Sequence, residues 1–264
     1  MNKKDKFKAA TFFCSLFLIL GFMLAAYFYF TAALVSTADA FLKSLENKTA
    51  SSESTYLSDD FKRHLTTTSF SQYVSAEGLD SYVSAQWSSR SIKNNRGSLV
   101  GVIKTENKAL PATISLVKEG GQWKIYSLQI RSEQSQQDEG IRELPDQQTQ
   151  LLLAREVLSV FVASVEQKSM QALFSSAAAI WQKNITINKL DAAFERFYSE
   201  DTTLLGQIKN RQPVFEHIAK LDDEGFMLIA GFYDLDAQKL SFEQRYIYEG
   251  LGWKLVGLDV RLTR

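Results

Sequence analysis

Side chains that could carry chemistry are few in this sequence and lie far apart. The two histidines, His64 and His217, are not surrounded by Cys, His or carboxylate residues at the spacing that zinc sites use. Glu216 precedes His217, but neighbours on a strand point to opposite faces, so we expect no carboxylate–imidazole pair there. His64 falls in a region of short helices, where we expect a partly exposed helix residue. The sequence therefore predicts no metal site and no cofactor.

The motifs of common catalytic sites are also missing from the sequence. No Gly-x-Ser-x-Gly turn occurs among its many serines, and it has no glycine-rich phosphate loop. Residues 222–225 read Asp-Asp-Glu-Gly, but they lack the alternating acidic ligands and the distal glutamate of a calcium loop. We interpret them as a charged hairpin turn. The sequence thus predicts a protein without catalytic residues, which is not an enzyme.

Large aromatic residues are the remaining candidates for a site, because they could line an apolar cavity. The alternative is ordinary hydrophobic core, which is the interpretation that the sequence favours, since aromatic side chains dominate the packing of many cores. The residues concerned are Trp87, Trp123, Trp181, Trp253, Tyr198, Tyr246 and Tyr248.

The charge balance excludes one class of partner. Lys and Arg number 30 in all, as do Asp and Glu. Without the first eight residues, which hold four Lys and one Asp, 26 basic and 29 acidic residues are left. Nucleic-acid binding needs a basic patch or an excess of positive charge, so we expect no nucleic-acid partner.

The N-terminal region predicts a membrane anchor. Residues 9–38 contain no charged side chain, and about 20 apolar residues span a bilayer as a helix. We assign residues 9–35 to a transmembrane helix. Residues 1–8 would form a cytoplasmic tail, because positive residues stay on the cytoplasmic side of a membrane. The rest of the chain is then periplasmic, behind a single-pass signal anchor in a bacterial inner membrane.

A cleaved signal peptide is the alternative to this anchor. The apolar region of a signal peptide is usually about 7–15 residues long, and this one is longer. Cys14 is the only cysteine, so the exported part would have no disulfide. That composition is ordinary for a bacterial periplasmic domain.

Two pairs of similar segments indicate that one domain occurs twice. GGQWKIYSLQIR (120–131) matches GLGWKLVGLDVR (250–261) at an offset of 130, and AFLKSLENKT (40–49) matches VFVASVEQKS (160–169) at an offset of 120. We assign the first copy to residues 36–131, a polar linker to 132–149 and the second copy to 150–264. The extra residues of the second copy are expected near the turn 206–213 or the hairpin 222–240.

Each copy shows a helical period followed by strand patterns. The apolar spacing predicts long helices over 33–48 and 150–168, and Ser69 and Asn188 are suggested as N-caps of shorter helices. Short helices are predicted over 53–65, 69–76, 169–182 and 188–199. Strands are predicted over 80–90, 98–106, 110–118 and 122–131, and over 213–221, 225–234, 240–249 and 252–262. The predicted fold class is α+β, with helices packed on one face of a curved antiparallel sheet.

The end of each copy resembles a known superfamily. Helices followed by antiparallel strands that end in Gly-Gly-Gln-Trp-Lys-Ile (120–125) or Gly-Leu-Gly-Trp-Lys-Leu (250–255) are similar to the nuclear transport factor 2-like fold. This superfamily includes the ketosteroid isomerase and SnoaL-type proteins. The resemblance implies two tandem cone-like domains. It places no catalytic residue on this chain, because the Asp with a Tyr or His partner that family enzymes use has no matching position.

These features favour a non-enzymatic binding or assembly module of a bacterial envelope complex. Such a module would be held at the inner membrane and would bind an envelope protein or form a homo-oligomer through exposed strands and the mouths of the cones. The alternative is a protein that binds a small apolar ligand, or a hydrolase or isomerase that uses the pocket of one cone. An enzyme would need a carboxylate or histidine with a strongly shifted pKa inside a deep pocket.

Overall fold

A computed structural model describes residues 29, 31–47, 54–63, 65, 67–131, 144–199, 202–222, 224–236 and 238–263. The predicted tail 1–8, most of the predicted transmembrane helix 9–35, His64 and most of the predicted linker 132–149 lie outside these residues. Within the described part of the chain, no helix combines the length and the apolar character needed to cross a membrane.

The fold is mixed α+β with two antiparallel sheets, as the sequence predicts. The chain divides into two compact units. The first unit comprises Met1–Ser58 and Thr66–Tyr126, and the second comprises Asp59–Leu65 and Ser127–Arg264.

Helix α1 of the first unit spans residues 31–44 and ends in a 3-10 turn, Leu45–Asn47. Its buried stripe repeats every three or four residues, which is the spacing of one helix face. The stripe consists of Leu34, Ala38, Phe41, Leu42 and Leu45, each at most 1% exposed. Helix α3 (Thr67–Glu77) and a 3-10 turn (Leu79–Ser81) lead from the helices into the sheet.

The first sheet is a meander of four strands in the order β1-β2-β3-β4. The strands span Tyr82–Lys93, Arg96–Thr105, Ala109–Glu119 and Gln122–Ile130. Both glycines of the turn between β3 and β4 have positive φ, 56° at Gly120 and 82° at Gly121, so the Gly-Gly pair closes the predicted hairpin. Bulges interrupt the pairing of β1 with β2 at two places.

The second unit begins its helices with α4 (Gln147–Glu166), whose buried stripe includes Ala154, Leu158, Phe161, Val162 and Val165. Phe161 meets the rings of two further buried phenylalanines edge-on, each at a centroid distance of 5.2 Å. The shorter helices are α5 (Gln171–Ser176), α6 (Ala179–Asn184), α7 (Ile187–Phe194) and α8 (Thr202–Gly206), with 3-10 turns at Glu195–Ser199 and Gln207–Asn210.

The second sheet has five strands in the order β5-β7-β8-β9, with β6 also paired to β7. These strands span Val214–Phe215, Lys220–Leu221, Met227–Asp234, Lys239–Glu249 and Gly252–Thr263. The single strand predicted over 213–221 is therefore wrong. Two short strands lie there instead, separated by the bent segment 216–219, and both pair with β7.

Helix α2 (Asp59–Arg63) belongs to the second unit although it precedes β1 in the sequence. Lys183 Nζ of α6 lies 2.7 Å from Asp60 Oδ1 and 2.9 Å from Oδ2, and Asp60 is only 8% exposed. Arg63 donates a hydrogen bond of 3.1 Å to Gln182. These side chains fix α2 beside α6.

The elements of the two halves of the sequence follow each other at the offsets of the sequence repeat. Helices α2 and α3 begin at Asp59 and Thr67, and α6 and α7 begin 120 residues later, at Ala179 and Ile187. Strands β3 and β8 begin 130 residues apart, as do β4 and β9. The ten extra residues of the second half therefore lie between the start of α7 and the start of β8.

One backbone hydrogen bond occurs in both units at these offsets. Ser58 N–H donates to Ile125 O at 2.9 Å, and Ala178 N–H donates to Leu255 O at 2.8 Å. Each bond joins the residue before a short helix to the outer edge of the last strand. The N-cap prediction was less accurate: Ser69 and Asn188 lie inside helices, and Thr186 is the residue whose side chain caps α7.

Two glycines allow the edge strands to approach their neighbours. A Cβ atom on Gly231 of β7 would collide with the carbonyl oxygen of Val214 in β5. A Cβ atom on Gly101 of β2 would likewise collide with the carbonyl oxygen of Gln86 in β1. Because backbone atoms cannot move aside as a flexible side chain can, both positions require glycine.

We expect Gly231→Ala to displace β5 and to lower the free energy of unfolding by about 1–3 kcal/mol, the usual cost of overpacking. Gly206→Ala is the matched control, because no heavy atom lies within 4 Å of the added Cβ and its φ is −60°. Urea denaturation followed by tryptophan fluorescence measures both. Equal stability of the two variants would contradict the close approach of β5 to Gly231.

Candidate binding groove

An open groove of about 400 Å³ lies on the second unit, between the start of α4 and the segment that enters β5. Side chains from two elements form its walls. They are Gln147, Gln148 and Leu151 on the helix, and Gln212, Pro213 and Phe215 on the other side. We call this feature the α4–β5 groove.

The helical wall is fixed by the way α4 begins. Asp146 is the N-cap, and its carboxylate accepts a hydrogen bond of 2.6 Å from Thr149 N–H. This bond lowers the pKa of the Asp146 carboxyl below its ordinary value. Gln150 Nε2 donates to Pro145 O at 2.7 Å, which ties the first turn to the preceding chain. The backbone of the first turn, which carries Gln147 and Gln148, is therefore held in place at the groove.

The opposite wall is fixed by β7 and by an arginine. Val214 pairs with Phe232 and Phe215 pairs with Gly231, which attaches β5 to the sheet. Arg211 donates to the carbonyl oxygen of Asp234 and forms an ion pair with Asp236. The chain that leads into β5 is thus anchored immediately before Gln212 and Pro213.

The backbone groups of Phe215 lie on the free side of β5. Glu216 N–H donates to Ala230 O at 3.0 Å, so residue 216 points its backbone groups towards β7. Because these groups alternate in direction along an antiparallel strand, the N–H and C=O of Phe215 point away from β7. Pro213 has no N–H to offer. The edge therefore presents one donor and one acceptor at Phe215.

The chemistry of the α4–β5 groove is that of amides and apolar groups. None of its six lining residues carries a charge. Leu152 and Val214, next to the lining in sequence, are 58% and 50% exposed. An edge that offers backbone hydrogen bonds beside pockets for side chains suits an extended polypeptide, which can add to a sheet as a further strand.

The space between α4 and the second sheet is occupied by the unit's own side chains. The buried residues there include Leu158, Phe161, Tyr233, Leu240, Phe242 and Tyr246. Tyr246 Oη donates to Gln244 Oε1 at 2.7 Å, and Gln244 Nε2 donates to Ala154 O at 3.2 Å. Burial raises the pKa of Tyr246 well above its ordinary value and that of Tyr233 to about 12.

The aromatic residues considered as cavity linings pack mainly as core. Tyr246 and Tyr248 are 1% and 8% exposed. Trp253 meets Tyr248 edge-on, with 5.4 Å between ring centroids. Burial and the 2.7 Å hydrogen bond from Tyr198 to Asp191 raise the pKa of Tyr198. Tyr246 belongs to the core of the second unit, and Trp181, Tyr198 and Trp253 pack against that core as half-buried side chains.

The remaining residues considered from the sequence lie at the surface of the second unit. Glu216 and His217 are both exposed, in the bent segment between β5 and β6. Asp222 begins a hairpin turn, and its carboxylate accepts hydrogen bonds from the N–H groups of Glu224 and Phe226. Although burial opposes it, the ion pair with Arg245 and these donors lower the pKa of Asp222. Across the described residues, no three His, Cys, Asp or Glu side chains gather as metal ligands.

The α4–β5 groove was not predicted from the sequence. Leu144-Pro145-Asp146 is a recognisable start signal for a helix, and Gln212-Pro213 marks the start of an edge strand. These two signals lie more than 60 residues apart, and sequence alone does not bring them together. Their proximity depends on the packing of α4 over the sheet.

Comparisons with known proteins add little to this geometry. No protein-family model matches the chain. No curated protein matches it either. A crystal structure of a cystatin-like protein from Ruminococcus gnavus ATCC 29149 is a distant structural neighbour, at 11% sequence identity and a TM-score of 0.23. The match covers 75% of this chain and 73% of that protein.

We expect Asp146→Ala to destabilise the protein, because it removes the N-cap of α4. The carboxyl has a lowered pKa when folded, so its contribution is fully present above the ordinary value of 3.8 and is lost as pH falls through the folded pKa. The stability difference between wild type and variant should therefore shrink below pH 3.8. Thr186→Ala, which removes the non-titrating N-cap of α7, is the control and should cost about 1 kcal/mol at every pH. A pH-independent effect of Asp146→Ala in urea denaturation would contradict the assignment.

Proposed function

We propose that this chain is a membrane-anchored, non-enzymatic binding module that holds a protein partner in a bacterial envelope complex. The observation that carries the proposal is the α4–β5 groove, an uncharged groove beside a sheet edge with outward backbone groups at Phe215. The location rests on the predicted anchor over 9–35 and the basic tail before it.

We further propose that the two halves are copies of one cone-like domain of the nuclear transport factor 2-like kind. Five buried positions of α1 recur in the helix stripe of the second unit at an offset of 120, as Leu34 and Ala154 or Phe41 and Phe161 illustrate. The shared hydrogen bond to the edge of the last strand supports the same proposal. A helix packed on an antiparallel meander is the arrangement that such a domain requires.

The packing of the second unit favours binding at its surface over chemistry in its interior. A catalytic carboxylate in a deep apolar pocket would have a raised pKa. Asp146 and Asp222, two exposed carboxyls of the second unit, have lowered pKa values instead. Side chains of the unit itself fill the space between α4 and the sheet.

A small-ligand or enzymatic role of the first unit is the second candidate. Tyr82 Oη lies 3.4 Å from Asp39 Oδ1, and an aspartate beside a tyrosine is the kind of pair that enzymes of the proposed superfamily use. Burial and the charge of Asp39 raise the pKa of Tyr82 to about 12. The tyrosine would therefore stay protonated and donate a hydrogen bond to a polar group of a ligand, and it would not act as a base.

The direct test is crosslinking in native membranes, followed by purification of the full-length chain and mass spectrometry of the proteins that accompany it. A stoichiometric partner supports the binding module. A chain that purifies without a partner but with a small molecule favours the second candidate.

We expect Leu151→Asp to reduce recovery of that partner about tenfold or more, because it places an unpaired charge in an uncharged groove that the partner would desolvate. Val83→Asp is the matched control, since Val83 is 61% exposed on β1 and lies outside the groove. Comparison of the two variants in the same crosslinking experiment measures the effect. Equal losses in both would assign partner binding to another surface.

The proposed topology predicts the reactivity of a cysteine placed on the second unit. Leu152→Cys in a Cys14→Ser background exposes one thiol on α4. If the bulk of the chain is periplasmic, a thiol reagent that cannot cross the inner membrane should label this residue once the outer membrane is opened. Labelling that requires disruption of the inner membrane would place the second unit in the cytoplasm.

A further inference from the structure

Three alternate side chains are exposed from the bent segment 216–219 to the start of β6, and His217 between them is exposed too. Ile218 is 88% exposed, more than any other large apolar side chain among the described residues. Glu216 and Lys220, two residues to either side, are exposed as well, whereas Ala219 is 5% exposed and faces inward. We call Glu216, Ile218 and Lys220 the edge row.

The charges of the edge row are complementary to those of its own copy. Two identical segments related by a two-fold axis run antiparallel. With the axis at Ile218, Glu216 of each copy faces Lys220 of the other, because both lie two residues from the axis. The contact then contains two ion pairs, each between Glu216 of one copy and Lys220 of the other. The two Ile218 side chains pack between these pairs. Within the described part of the chain, neither Glu216 nor Lys220 has an ion-pair partner closer than 4.0 Å.

The backbone at both ends of the edge row is compatible with this arrangement. Glu216 N–H donates towards β7 and Asp222 N–H donates to Phe226 O, so the backbone groups of Phe215 and Leu221 point away from the sheet. Phe215 of one copy and Leu221 of the other lie opposite each other about the same axis. The outward N–H and C=O groups of Phe215 in one copy thus face those of Leu221 in the other, as hydrogen bonding between antiparallel strands requires.

We propose that the edge row joins two copies of this chain in a two-fold contact centred on Ile218. Charge complementarity favours a second copy over an unrelated partner. The edge row has the order acidic–apolar–basic, so an antiparallel copy places a basic side chain opposite the acidic one and an acidic side chain opposite the basic one. The contact goes beyond the proposed function, since no residue of the edge row lines the α4–β5 groove. The backbone of Phe215 would be the one element that the contact and the groove share. A dimer would present the side-chain walls of two grooves to a partner and raise its avidity.

Charge reversal tests the contact through four forms of the full-length chain. E216K places lysine opposite Lys220 of the second copy, and K220E places glutamate opposite Glu216. Each should weaken self-association by about tenfold or more, because two attractive pairs become repulsive. The double variant E216K/K220E restores both pairs and should associate as wild type does. An equimolar mixture of the two single variants should form mixed pairs, in which every contact is again attractive.

Sedimentation of the purified chains, and co-purification of differently tagged single variants, measure these outcomes. Self-association of wild type should also weaken as salt rises, since exposed charges are screened. A monomeric wild type, or single variants that associate as tightly as wild type, would overturn the proposal. Failure of the double variant to recover association would do so too. None of these results depends on whether an envelope partner is captured, so the proposed function stands or fails separately.

The axis itself can be tested by a disulfide. Ile218→Cys in a Cys14→Ser background brings two thiols together at the two-fold axis, and we expect rapid oxidation to a covalent dimer in membranes. Leu152→Cys, exposed on α4, is the matched control and should remain mostly monomeric under the same conditions. Equal dimer yields from the two variants would overturn the contact.

Discussion

The unpaired edges of the two antiparallel sheets are the constraint on which this structure depends. An exposed row of backbone N–H and C=O groups invites uncontrolled pairing, so proteins cover or interrupt it. The last strand of each unit is covered: Ile125 accepts from Ser58, Leu255 accepts from Ala178, and Arg196 donates to Val260 O at 2.7 Å. The placement of the short helices follows from this requirement, because the residue before α2 or α6 supplies the covering N–H.

The opposite edges of the two sheets differ. We propose binding at the edge formed by β5 and β6, which is the less protected of the two. Two bulges break the free edge of β1, which has 12 residues. In the second unit the corresponding edge is reduced to β5 and β6, two residues each, with the segment 216–219 between them. A short edge discourages pairing with arbitrary chains. It still leaves the groups of Phe215 and the edge row available to a partner of matching shape and charge.

The sequence predicted those elements whose pattern is local. Apolar residues at helical spacing identified α1 and α4, and Gly120-Gly121 located a turn, because each signal lies within a few residues of the structure that it forms. The edge of the second sheet was predicted as one continuous strand over 213–221. Its division into β5 and β6 depends on pairing with β7 and on the lack of a side chain at Gly231, which a local pattern does not show. The α4–β5 groove was missed for the same reason: its walls are distant in sequence, and tertiary packing brings them together.

The two proposed copies differ where a polar pair enters the core of the second. Gln244 and Tyr246 take the positions that Ile114 and Leu116 hold 130 residues earlier, and all four are at most 1% exposed. A buried amide must be hydrogen-bonded to be tolerated, and Gln244 is, through Ala154 O of α4 and Tyr246 Oη. The hydrogen bond from Gln244 to Ala154 O fixes the position of α4 along the sheet, whereas apolar contacts alone allow small displacements of the helix. Since the first turns of α4 form one wall of the groove, the polar pair in the core positions the surface at which we propose binding.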